Sequence, residues 1–206
     1  MNKRASLGLI AVASGFIGTA FGIYPAFGFA AESFLTVERS TASTEDGELS
    51  TELDAEGPLI PTNETQEAFG YGIITDDGDD VILITHTHSG ILDSEAQGFI
   101  DDPVWHNHFV RLGEVEECGE DKGILEITWQ SPGSIEINDN IASIKDIPTD
   151  GFEGWDSTTG QSLSMTLGEH VSDVISFKLD PVFGEDGLEA VCITDVRSAE
   201  EVVNLE

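Results

Sequence analysis

Four of the five histidines fall into two His-x-His pairs, His86-Thr87-His88 and His106-Asn107-His108. Five histidines scattered over 206 positions would give only about 0.1 such pair, so the spacing is a signal. In an extended strand residues i and i+2 project from one face, and each pair therefore aims two imidazoles in one direction. His86 and His88 continue the row of Ile82 and Ile84, and His106 and His108 share a row with Val104, Val110 and Leu112. If those apolar rows face the core, all four imidazoles point inward. Two such strands, face to face or side by side, offer three or four nitrogens to one cation at about 2.0–2.1 Å. Neutral imidazoles buried alone must each find a hydrogen-bond partner, and protonated ones repel; a shared metal ion meets both demands. Nitrogen ligands without a thiolate suit one Zn²⁺ or Cu²⁺ ion. Four bound histidines make a closed structural site. Three leave a position for water and open hydrolytic, lyase or redox chemistry, and the sequence does not choose between enzyme and non-enzyme.

Residues 89–103 separate the pairs and carry Asp93, Glu95, Asp101 and Asp102. A connection of that length is often functional, and residues 92–98 could form one helical turn over the mouth of a site. Asp93 and Glu95 are the candidates for a further ligand, a carboxylate orienting an imidazole, or a general base acting on bound water. His170 follows Gly168-Glu169 and reads as a surface turn residue. The run Asp76-Asp77-Gly78-Asp79-Asp80 reads first as a solvated hairpin tip. It is at most a weak calcium site, since it lacks the ligand spacing and closing Glu of an EF-hand loop.

His86-x-His88-x4-Asp93 resembles the first half of a cupin motif, in which two histidines and a carboxylate on adjacent strands hold a metal. The resemblance spans eight residues, has Asp where cupins prefer Glu and lacks the upstream glycine. A second His-x-His also stands where cupins have a single histidine. The first pair followed some twenty residues later by further histidine is similar in spacing to α-type carbonic anhydrases, with no other match. No family is assigned on either.

The elements that must position these histidines are short and alternating. Residues 71–75, 81–88, 104–112, 124–130, 134–137, 141–147, 163–167, 171–179 and 188–196 read as strands broken by Asp/Gly/Pro turns. Hairpins are expected at 76–80 and 184–187, and a further turn at 131–133. Helical periodicity beyond about two turns is confined to the N-terminus, and no fixed-period repeat is present. The expected fold is all-β, an antiparallel sandwich or jelly-roll-like barrel, over residues 68–206.

Residues 1–30 read as an export signal, with Lys3 and Arg4 before an uncharged stretch and Gly28 and Ala30 at the −3 and −1 positions of a cleavage site. An uncleaved anchor is the alternative; either way the remainder lies outside the membrane, secreted or on the cell surface. Residues 31–67 are rich in Ser, Thr, Glu and Asp and read as a flexible acidic arm with one sequon at Asn63. Outside the cell Cys118 and Cys192 are expected to form a disulfide, worth about 4 kcal/mol for a loop of that length.

The chain carries 8 Lys+Arg against 40 Asp+Glu, a net charge of −32. That balance excludes nucleic acid and anionic membrane surfaces as partners and suits a solvated surface in saline surroundings. Any protein partner is left unspecified. Two functions fit: a secreted metal-binding β domain, or a non-enzymatic surface or adhesion sandwich whose histidines are merely packed.

Overall fold

Alternation of apolar and polar residues, broken by Asp and Gly, builds almost every element of the chain. The computed structural model describes residues 33–60, 68–78, 80–96, 104–185 and 187–205. Its strands are β1 (Val37–Glu45), β2 (Glu48–Ala55), β3 (Ala68–Thr75), β4 (Ile82–Thr87), β5 (His106–Glu114), β6 (Lys122–Ile127) and β7 (Ser134–Asn138). β8 (Ile141–Pro148), β9 (Phe152–Trp155), β10 (Ser162–Met165), β11 (Val171–Gly184), β12 (Gly187–Ser198) and β13 (Val202–Leu205) follow. Among the described residues the only helical pieces are two short 3₁₀ turns, and no helix is long and apolar enough to cross a membrane.

The fold is all-β and, apart from one parallel pair, antiparallel. Strands β11-β12-β6-β5-β4-β3 close into a barrel, and β13-β1-β2-β8-β7 form a second, five-stranded sheet. One buried cluster joins Leu49, Leu53, Ala142 and Ile144 of the open sheet to Tyr71, Ile73, Leu83 and Phe109 of the barrel, so the sheet packs on the barrel's outer face. A second cluster, built around Ile84, Val110, Ile127, Ile175, Phe177, Leu179 and Ile193, fills the barrel interior. The two clusters use opposite faces of the same barrel strands, as a period of two requires.

The expected hairpins at 76–80 and 184–187 join β3 to β4 and β11 to β12. The turn at 131–133 does not close a hairpin: β7 pairs with β8, and the segment carries the chain from the barrel to the open sheet. The flexible-arm reading of residues 31–67 is corrected over residues 37–55, which form β1 and β2. These pair around Asp46-Gly47, both at positive φ (54° and 81°), the geometry of a two-residue type I′ hairpin loop. Their inward residues are small or hydroxylic (Ser40, Ala42, Thr51) with Leu49 and Leu53, so a polar composition still buries one face. The sequon at Asn63 and the signal in residues 1–30 lie outside the described residues.

Cys118 and Cys192 are bridged, with their Cα atoms 5.5 Å apart, tying the turn before β6 to β12. Gly123 on β6 sits against this bridge, where an added Cβ would lie 3.1 Å from the Cys118 Sγ. A disulfide belongs to an oxidising, extracytoplasmic compartment.

Candidate metal centre

β4 and β5 are antiparallel neighbours, with His86 opposite His106 and Ile84 opposite His108. The pairs therefore lie side by side at one end of the barrel, in the row that continues inward from Ile84 and Val110. All four imidazoles are buried, with between 0 and 6% of each residue exposed. Ring centroids are 4.3 Å apart for His86 and His106, 5.0 Å for His106 and His108, and 5.0 Å for His86 and His88.

The backbone fixes which nitrogen each ring presents. The Nδ1–H of His106 donates to the Val104 carbonyl at 2.8 Å and that of His108 to the Thr128 carbonyl at 2.5 Å. Since only a protonated nitrogen can donate to a carbonyl, each ring points Nε2 into the barrel, where the neutral tautomer carries its lone pair. Those two Nε2 atoms have no hydrogen-bond partner, and neither has either nitrogen of His86. Asp93 reaches in from the loop after β4. Its carboxylate lies 3.2 Å from His88 Nε2, 3.5 Å from His106 Nε2 and 3.8 Å from His108 Nε2. One ligand atom each from His86, Asp93, His106 and His108 lies within 4.8 Å of the others. Ligands about 2.1 Å from one ion stand roughly 3.4 Å apart in a tetrahedron, so small side-chain movements complete a shell. His88 stands beside this group, paired with Asp93.

The cluster's electrostatics follow from its burial. Burial drives the His86 imidazole well below its ordinary pKa, and repulsion from His106, His88 and His108 adds to this. His108 is pushed down to about 4, chiefly by burial, although Asp93 and the Thr128 carbonyl favour its charged form. Burial opposes ionisation of Asp93, but the imidazoles of His106 and His88, with attraction from His108 and His86, hold its carboxyl well below the usual range. Burial thus favours neutral imidazoles at His86 and His108 beside an ionised Asp93, the protonation states that metal coordination requires.

Several groups invisible to motif reasoning hold this arrangement. Ser157 Oγ donates to the Asp93 carbonyl at 2.9 Å, and the Glu95 N–H donates to the Trp129 carbonyl at 3.1 Å, pinning the loop on both sides of Asp93. The Asn107 side-chain amide donates to the Pro132 carbonyl at 3.0 Å, and Trp105 stacks on Tyr71 with centroids 6.0 Å apart, so the residues alternating with the histidines anchor β5 on its outer side. On β3, Gly70 faces His86, and a Cβ there would come within 2.6 Å of the His86 Cβ. A glycine inside a strand signals such a close approach, and Gly70 and Gly72 carried that signal.

The remaining candidates are placed elsewhere. The Glu95 side chain is exposed and outside the gathered group, and the described part of residues 92–98 contains no helical turn. His170 is exposed beside Asp76, its Nδ1 3.3 Å from the carboxylate. In the acidic turn Asp77 accepts the backbone N–H of His170 at 3.2 Å and that of Glu169 at 3.0 Å, which hold its carboxyl below the ordinary value, the first most strongly. Asp79 lies outside the described residues, and Asp101 and Asp102 do too. Among the described residues, the histidine–aspartate group is the only cluster with metal-ligand spacing.

A pocket of about 330 Å³ opens onto the cluster on the side of His86, His88 and Asp93. Comparison with known proteins gives no family model, curated protein or solved structure that matches the chain.

Proposed function

We propose that this chain is a secreted, acidic metal-binding β domain holding one zinc or copper ion at the end of its barrel. His86, His106 and His108 supply nitrogen ligands, the last two through Nε2. Asp93 supplies an oxygen, and His88 orients the Asp93 carboxylate. The observation that carries the reading is the set of buried imidazole nitrogens on three histidines, without partners and gathered around one carboxylate. Unsatisfied buried polar atoms cost about 1–3 kcal/mol each. A role as packed side chains, as in an adhesion module, leaves that cost unexplained; a bound cation removes it. The donor set of nitrogen and one carboxylate oxygen, with no thiolate, matches zinc and copper. When bound, such an ion polarises a ligand or lowers the pKa of a coordinated water. The pocket on the side of His86, His88 and Asp93 gives that chemistry an entrance.

The test is metal analysis of untagged protein dialysed against equimolar Zn²⁺ and Cu²⁺. About one ion per chain is expected, and less than roughly 0.2 overturns the proposal, because a buried four-ligand site retains its metal. His106→Ala, His108→Ala and Asp93→Ala should each weaken the same single binding event. His88→Ala should weaken it about 10–100-fold without abolishing it, as loss of an orienting partner does. His170→Ala should leave it unchanged.

A further inference from the structure

The pocket that opens onto the metal centre is unlike the surface around it. Its walls come from Ile124, Ile127, Leu179 and Val191, side chains that belong to the barrel's inner cluster. Apolar character continues outward to the rim, where Leu92 and Leu188 line the mouth at 49% and 42% exposure. Phe183, opposite Leu188 in the β11–β12 hairpin, is 61% exposed. Large exposed apolar side chains gathered at one opening mark a binding mouth, the more so on a chain with a net charge of −32. His86, His88 and Asp93 form the polar floor.

Charge narrows the occupant. Among the described residues, Asp93 and Glu189 are the only charged ones that line the pocket, and no Lys or Arg does. An anion would be drawn by the ion but would meet Glu189 and the field of the whole acidic chain, with no Lys or Arg among the described lining residues to hold it. A cationic head cannot donate a lone pair to a metal and would be repelled by it. An uncharged ligand avoids both penalties. Size narrows it further: cavities of about 150 Å³ accept benzene, so 330 Å³ accommodates one to two rings or an equivalent aliphatic body.

We propose that this pocket binds a small, uncharged, mainly apolar molecule whose single nitrogen or oxygen lone pair reaches the ion at the floor. The proposal rests on the metal centre proposed above and adds the class of its ligand. The apolar body lies against Ile124, Ile127, Leu179 and Val191, and the donor atom points between His86 and Asp93.

The test uses the full chain loaded with Co²⁺, whose visible bands report ligation, at about pH 8, where the probes are uncharged. Imidazole is the head without a body, and 4-phenylimidazole is the head with one. Burying the phenyl ring should make 4-phenylimidazole bind at least about tenfold more tightly. Val191→Asp, and the exposed-rim change Leu188→Asp should the first fail to fold, should reduce that ratio with cobalt content unchanged. Equal affinities of the two probes on loaded protein, or a ratio that ignores both changes, overturns the proposal. If no metal is retained, the metal centre itself fails, and the uncharged dye N-phenyl-1-naphthylamine reads the pocket alone. One dye bound per metal-free chain and released by Leu188→Asp supports an apolar-ligand site, and no binding overturns it.

Discussion

Replacing His86 by leucine should reverse its effect on stability according to whether metal is present. Most buried substitutions destabilise a protein, because they leave a cavity or strip a hydrogen bond. His86 is 2% exposed, and neither of its ring nitrogens has a partner. Leucine is close to histidine in volume and has no polar atoms, so the change removes two uncompensated groups and makes little cavity. Each such group costs about 1–3 kcal/mol, and imperfect repacking of a branched side chain takes back part of the gain, leaving a net of about 2 kcal/mol. For a domain of this size that is a rise of roughly 4–8 °C in the metal-free midpoint. With free ion at about 100 times its dissociation constant, the native protein instead gains about 2.7 kcal/mol from binding, and the variant loses most of that gain. Thermal unfolding of both proteins, with chelator and with Zn²⁺ or Cu²⁺, reads both halves. The variant should be the more stable protein in chelator and the less stable one in metal. A variant less stable than the native protein in chelator would show that His86 is satisfied by packing alone, and the reasoning from its bare nitrogens would fail.

Acid should destabilise the metal-free protein well before ordinary carboxylates titrate. His108 has its pKa lowered from 6.5 to about 4 by burial, so between those values the unfolded chain binds a proton that the folded chain refuses. That stability is whole above 6.5 and falls with pH, by about 3 kcal/mol on reaching 4, with His86 acting in the same direction. Denaturant titrations that give a constant stability from about pH 7 to 4.5 would contradict this. Replacing both Cys118 and Cys192 by serine should cost about 4 kcal/mol, because the bridge closes a sequence separation of 74, and the unreduced native protein should show no free thiol on denaturation. The net charge of −32 implies self-repulsion that salt screens, so the thermal midpoint should rise from low to molar KCl; a flat or falling midpoint counts against it.

The histidine rows were readable because strand alternation is strict: one register that buries Ile82 and Ile84 must also turn His86 and His88 inward. Which carboxylate joins them was not readable. Asp93 and Glu95 differ by two positions in a loop, where no periodicity applies, and the choice is made by Ser157 and Trp129, which hold the backbone from distant parts of the chain. β1 and β2 were missed for a different reason. Their composition is that of a disordered segment, and their inner faces are occupied by Ser40, Ala42 and Thr51. The local turn chemistry of Asp46-Gly47, flanked by alternating residues, was the better guide than composition. The disulfide was legible because two cysteines in an oxidising compartment have only one intramolecular pairing.

The position of the site within the barrel follows from how little room a closed six-stranded sheet encloses. Facing positions must add up to a nearly constant volume, and β3 and β11 do so with Gly70 opposite Phe177 and Gly72 opposite Ile175. A Cβ on Gly72 would press within 2.9 Å of the Ile175 side chain. At the far end Ile82 faces Val110 across the β4–β5 ladder, and these apolar residues close the interior. Antiparallel pairing then forces the end of β4 and the start of β5 to the same rim, so the two His-x-His pairs, on consecutive strands, are brought side by side by the ladder itself. Beneath the rim lie the apolar side chains of the barrel interior, and above it the pocket begins. An ion in that position would be desolvated on one side and reachable on the other, an asymmetry that a purely structural metal, enclosed on all sides, has no use for.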